Sequence, residues 1–168
     1  VYQPVDRSDR PSATELRGFV KEQVLRFGGG TADMRIVRVP FDVHHPVWVA
    51  DPAYSPDDHI YRTALPAPGD KAQFCTFLSD LMGRPLDPDR PLWEAWIVEG
   101  LEGDRFAVAV KMHHVLADGG TIATVLERSH SETADDDRPV AADRGEPIPG
   151  RARLLAGALA DLVTSCTE

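Results

Sequence analysis

The chain has 168 residues, enough for one ordinary domain with a buried core, and 42% of them are hydrophobic, which argues against disorder. A net charge of −9 repels phosphates, so nucleic acid is disfavoured as the main partner, as is strong electrostatic docking on anionic lipid; apolar contact with a membrane or lipid droplet stays open. The two cysteines, Cys75 and Cys166, have no metal or redox spacing, no signal peptide is visible, and no run of about 18 apolar residues marks a membrane span, so the reading is a reduced, cytoplasmic chain.

Val1-Tyr2-Gln3 reads as the end of a strand, in a chain expected to lack its opening segment. Ser12 and Glu15 have the spacing of a capping box, and Leu16, Phe19, Val20, Val24 and Phe27 then recur at helical spacing up to the stop at Gly28-Gly29-Gly30. The triple glycine has no leading strand and no following Lys-Ser/Thr, so it reads as a helix end rather than a phosphate loop. Met34 to Val39, Val47 to Val49 and His59 to Arg62 read as short strands. His44-His45 falls in the loop between the first two, with no cysteine or spaced acid to make it a metal site.

After the turn Leu65-Pro66-Ala67-Pro68-Gly69, Asp70 caps a second helix with Gln73 three residues on. Phe74, Phe77, Leu78 and Leu81 form its stripe, Cys75 is expected in or beside the core, and Gly83 closes the helix. A proline-rich loop leads to Leu92–Val98, a strand that places Trp93 and Trp96 on opposite faces. Glu99 to Asp104 turns the chain, and Phe106 to Met112 returns as the second strand of a hairpin. By alternation His114 continues the face of Phe106, Val108, Val110 and Met112, and His113 the opposite one. Thr121 to Arg128 reads as a helix and Ser129 to Pro149 as a polar crossover. Arg151 to Val163 is an amphipathic helix whose apolar face needs either this domain or something further to pack on.

The chemistry gathers at His113-His114-Val115-Leu116-Ala117-Asp118-Gly119. A neutral imidazole at a strand end can take a proton from a hydroxyl or thiol attacking an acyl carbon. Asp118, four residues after His114, could orient the ring directly or turn away and lock the loop. Gly119 permits a backbone geometry or close approach that a side chain would block. The stretch is not the H-E-x-x-H of a metalloprotease, and an isolated HxxxD pair is also common as plain structure.

His113 to Gly119 fits the HHxxxDG signature of the CoA-dependent acyltransferase superfamily. The flanks Pro46-Val47-Trp48-Val49, Asp58-His59-Ile60, Ala64 to Gly69, Pro85-Leu86-Asp87, Arg90 to Glu94 and Val98-Glu99-Gly100-Leu101 resemble the bacterial wax ester synthase/acyl-CoA:diacylglycerol acyltransferase family, in its order. The similarity runs from about Arg35 to Ile122 and is looser beyond.

The resemblance implies an α/β fold of the chloramphenicol-acetyltransferase-like kind, its N-terminal half, with a mixed β-sheet and flanking helices. It implies an O-acyltransferase moving a fatty acyl group from acyl-CoA to diacylglycerol or a long-chain alcohol, with His114 as general base. His113 becomes a neighbour of the base, while Asp118 and Gly119 support the loop. Pro91, Leu92 and Trp93 brace the core. Acyl-CoA is a co-substrate, and no cofactor or metal is permanently bound. The family is built of two similar halves around a tunnel, and this chain matches one half at most. The expected division is therefore 1–130 as the half-domain, 131–150 as crossover, and 151–168 as a helix leading towards a C-terminal half in the same or a separate chain. Peripheral contact with membrane or lipid inclusions fits those substrates. Two other readings compete: a non-catalytic half-domain that binds acyl-CoA, lipid or a partner, and a condensation-type acyltransferase.

Overall fold

Helix α1 (Ala13–Phe27) begins at the expected capping box in the computed structural model, which describes Tyr2 and residues 11–27, 31–116 and 149–165. Glu15 N–H donates to Ser12 Oγ at 3.2 Å and Ser12 N–H to Glu15 Oε2 at 2.7 Å. Helix α2 (Lys71–Gly83) begins at a second box, Gln73 N–H to Asp70 Oδ1 at 2.8 Å and Asp70 N–H to Gln73 Oε1 at 3.0 Å. Each box satisfies amides that the first helical turn leaves without partners.

The end of α2 departs from expectation. Gly83 is its last helical residue but takes no left-handed conformation. Arg84 instead turns extended (φ −85°, ψ 132°), because Pro85 crowds a helical residue before it. Cys75 is exposed rather than beside the core, and Phe19 lies at the exposed margin of its stripe.

Strands β1 (Met34–Val37) and β2 (Val47–Ala50) pair antiparallel as a small separate sheet. Strands β3 (Ile60–Ala64), β4 (Trp93–Leu101) and β5 (Arg105–Met112) form the main one, in the order β3-β4-β5. β3 runs parallel to β4, a pairing that needs a crossover, and α2 supplies it. β4 and β5 form the expected hairpin. The outer edge of β5 takes Tyr2, whose N–H and C=O both bond Phe106, at 2.8 and 3.2 Å, so the strand-like reading of the chain start holds at that residue.

Alternation along β4 buries both faces of this sheet. Trp93, Ala95 and Ile97 pack with Ile60, Phe106 and the α1 residues Leu16 and Val20. Val98, Leu101 and Ala107 pack with Leu65, Phe74, Phe77 and Trp96. The two tryptophans thus fall on opposite faces, and the result is a mixed sheet with a helix on each side. Ile97 and Val98 are fully buried, each stabilising the fold by about 1.5–3 kcal/mol.

Two of the glycine-bearing segments quoted above touch. Between Val98 and Leu101 the register slips by one residue, and Gly100 sits there with φ 75°. A Cβ on Gly69 (φ 69°) would fall 1.8 Å from the Gly100 carbonyl oxygen, and one on Gly100 2.7 Å from that of Leu65. Glycine at both positions is what lets the Leu65–Gly69 turn lie on the hairpin.

Helix α3 (Arg151–Ser165) lies against the turn Pro40–Asp42, with Ala158 buried and Leu159 exposed. Its expected apolar face is therefore partly covered by this domain. The predicted helix Thr121–Arg128, the crossover as far as residue 148 and the triple glycine lie outside the described residues.

Candidate active site

The site is built on the last residues of β5. Trp93 of β4 pairs with Met112, and His113 N–H extends the ladder one step by donating to the Leu92 carbonyl at 2.9 Å. The chain then leaves the strand. His114–Leu116 form a 3₁₀ turn, closed by Leu116 N–H on the His113 carbonyl at 2.9 Å. Leu116 packs back onto the cluster that contains Trp93.

This turn corrects the alternation argument. Neighbouring side chains on a strand point to opposite faces. The rings of His113 and His114 instead stack, with centroids 4.4 Å apart and planes 29° apart. Both rings are exposed.

Their nitrogens differ. Val115 N–H donates to His113 Nδ1 at 3.3 Å. That bond occupies the lone pair of Nδ1 and leaves the neutral ring with its proton on Nε2. His113 is thus tied into its own turn. Among the described residues no hydrogen bond engages the His114 ring. Asp118 and Gly119, assigned to loop support, lie outside the described residues.

Two buried groups hold the platform. Lys111, two residues before the pair, is 8% exposed. Its Nζ donates to the Leu81 carbonyl at 2.8 Å and to that of Arg84, and lies 3.4 Å from Oε1 of Glu94, its cross-strand partner. A cation here meets the negative end of the α2 dipole and fastens β5 to that helix. On the other face His59 is 4% exposed, and its Nδ1 bonds the Trp93 carbonyl at 2.9 Å. Desolvation holds the His59 imidazole below its ordinary pKa; the Trp93 carbonyl and nearby Asp58 and Asp51 oppose the shift, and Arg90 adds to it. Pro91, Leu92 and Trp93 are buried and brace the core as expected, with Trp93 Nε1 donating to the Ala32 carbonyl at 2.7 Å.

Lys111 and His59 were not picked out as site residues from the sequence. A signal existed for Lys111, the single charge within the apolar run Phe106 to Met112. The other adjacent pair, His44-His45, lies far from this constellation in chemistry: its rings meet edge to face at 5.8 Å, and His44 Nε2 sits 3.9 Å from Asp161 Oδ2 of α3. Among the described residues no three His, Cys, Asp or Glu side chains gather as metal ligands, and no helix there is long and apolar enough to cross a membrane.

Residues 4–168 match the family described as the wax ester synthase/diacylglycerol acyltransferase catalytic domain. A Mycobacterium tuberculosis protein named as a diacylglycerol O-acyltransferase is 40% identical over 131 residues, covering 77% of this chain and 28% of that protein. A Mycobacterium bovis protein of the same name is 42% identical over 97 residues, covering 58% of this chain and 21% of that one. The solved wax ester synthase/diacylglycerol acyltransferase from Marinobacter aquaeolei VT8 superposes with a TM-score of 0.57 at 23% identity, over 95% of this chain and 39% of that one. The chain therefore has the same chloramphenicol-acetyltransferase-like fold, and it spans between a fifth and two-fifths of the length of these relatives.

Proposed function

The chain belongs to the wax ester synthase/diacylglycerol acyltransferase family, and from that premise we propose that it carries the base of an O-acyl transfer from acyl-CoA to diacylglycerol or a long-chain alcohol, with His114 in that role. The observation that supports His114 over His113 is the engaged Nδ1 of His113, beside a stacked, exposed His114. His114 takes the proton of the acceptor hydroxyl as its oxygen attacks the thioester carbonyl carbon. The tetrahedral intermediate then collapses, the C–S bond breaks, and the imidazolium returns its proton to the CoA sulfur. The products are an ester and free CoA.

His113 supports the turn, and Asp118 and Gly119 hold the loop that follows. Acyl-CoA enters as a co-substrate, with no permanently bound cofactor. Residues 1–130 act as one wall of the tunnel, 131–150 as crossover, and 151–168 as a helix leading to a C-terminal half that supplies the other wall and its oxyanion donors. The reaction is placed in the cytoplasm, at the periphery of a membrane or lipid inclusion.

With the C-terminal half present, His114→Ala is expected to lower acyl-CoA:alcohol transfer by about 10²–10⁴-fold, and His113→Ala by less. Equal turnover by His114→Ala and the parent would remove the assignment. Asp118→Ala should lose melting temperature along with rate; a loss of rate at unchanged melting would give Asp118 a direct role instead.

A further inference from the structure

We infer that His59 is a positioning residue for the His113–His114 turn, acting through the backbone of Leu92 and Trp93. A polar ring in an apolar cluster needs a reason, since burying an unpaired imidazole is unfavourable. The Tyr54 ring lies tilted against one side of the His59 imidazole at 5.6 Å, and the imidazole's two closest engagements are both with Trp93. Its Nδ1–H donates to the Trp93 carbonyl at 2.9 Å, and its face stacks on the Trp93 indole with centroids 4.7 Å and planes 22° apart.

Those contacts sit one peptide away from the site. The Trp93 carbonyl bonds His59 on the β3 side, while the Leu92 carbonyl bonds His113 N–H on the β5 side. The first residues of β4 are thus gripped from both edges. Leu116, the last residue of the 3₁₀ turn, packs against the same cluster that contains Trp93. His59 on Trp93, the Leu92–Trp93 peptide, the Leu92 carbonyl on His113 N–H and the His113–His114 stack link His59 to the His114 ring step by step. Lys111 holds the opposite face from the neighbouring end of β5, which leaves His59 as the counterpart on the α1 face.

The catalytic meaning of this role rests on the reading of His114 as base, but its test needs no turnover. Amide hydrogen exchange and imidazole NMR signals are read on the full chain in the parent, His59→Phe, His59→Gln and His59→Asn. Phenylalanine keeps the stacked ring and removes the donor, glutamine carries its N–H one bond too far out, and asparagine restores an N–H near the Nδ1 position. In the Phe and Gln variants the His113 amide should exchange about tenfold faster, as for one hydrogen bond lost, with shifted His113 and His114 ring signals. The Ile97 and Val108 amides at the sheet centre should be unchanged, and His59→Asn should return the His113 rate to within about threefold of the parent.

An unchanged His113 amide in the Phe and Gln variants would overturn the inference. So would equal acceleration at Ile97 and Val108, or failure of asparagine to restore the rate. If His59→Phe does not fold, the glutamine and asparagine variants carry the same comparison. Failure here leaves the base assignment standing, and failure of the His114→Ala test leaves the positioning contact standing.

Discussion

The chain presents two adjacent histidine pairs to solvent, and they behave differently because of the backbone beneath them. His44-His45 lies on a loop beyond the small β1–β2 sheet; its rings meet edge to face at 5.8 Å, and its ties are a His44 Nδ1 contact to the His45 carbonyl at 3.2 Å and the Asp161 carboxylate 3.9 Å away. His113-His114 ends a central hairpin strand; its rings stack at 4.4 Å, one backbone amide is locked to β4, and one ring nitrogen is locked to its own turn. The same dipeptide is a weakly tied surface feature in one place and a restrained pair in the other. A catalytic group must be held by a rigid surround to be useful, and only the second pair has one.

Breaking that surround should have the largest effect on stability. Lys111→Met removes the cation that bonds the Leu81 and Arg84 carbonyls and faces Glu94, leaving buried acceptors unpaired. A loss of about 3 kcal/mol is expected in urea unfolding. Arg38→Met, which removes an exposed ion pair to Asp42 near the other histidine pair, should cost under about 0.5 kcal/mol. Similar costs for the two would show that the second pair has no special platform.

A smaller effect should appear with pH. The folded state holds His59 below its ordinary pKa by burial, whereas the unfolded chain titrates near about 6.5. Between the lowered folded value and the unfolded value, the unfolded chain binds the extra proton. Stability therefore falls as pH drops below about 6.5, and the fall ends once pH passes the folded value. His59→Asn should flatten this part of the stability profile, and an identical profile in the variant would remove His59 as its source.

The smallest effect separates two accounts of the α2 end beside Lys111. Gly83 has open space where a Cβ would go and needs no left-handed backbone. Gly83→Ala should stabilise the chain by about 0.5–1 kcal/mol. Destabilisation would restore glycine as the helix stop in place of Pro85 and Lys111.

What could be read from the sequence follows the range of each interaction. The capping boxes at Ser12–Glu15 and Asp70–Gln73 act within one helical turn, so their spacing predicts them. The strands of the hairpin and the opposed faces of Trp93 and Trp96 follow from alternation. Alternation failed at His113-His114, because a 3₁₀ turn begins where the ladder ends and periodicity carries no mark of that point. The grip of His59 on Trp93 spans 34 residues, and that of Lys111 on Leu81 spans 30, so neither leaves a local pattern. The parallel pairing of β3 with β4 is equally non-local. The close approach of Gly69 to Gly100 left its trace in residue identity: both glycines stood in the segments that carried the family resemblance, without their contact being visible.

The direct test of the central contrast is acyl transfer with the C-terminal half present, measured side by side for the parent, His114→Ala and the double variant His44→Ala/His45→Ala. The double variant is expected to turn over within about twofold of the parent, while His114→Ala keeps about 1% or less. Comparable loss in both, or full activity in His114→Ala, would contradict the assignment of the proton transfer to the restrained pair.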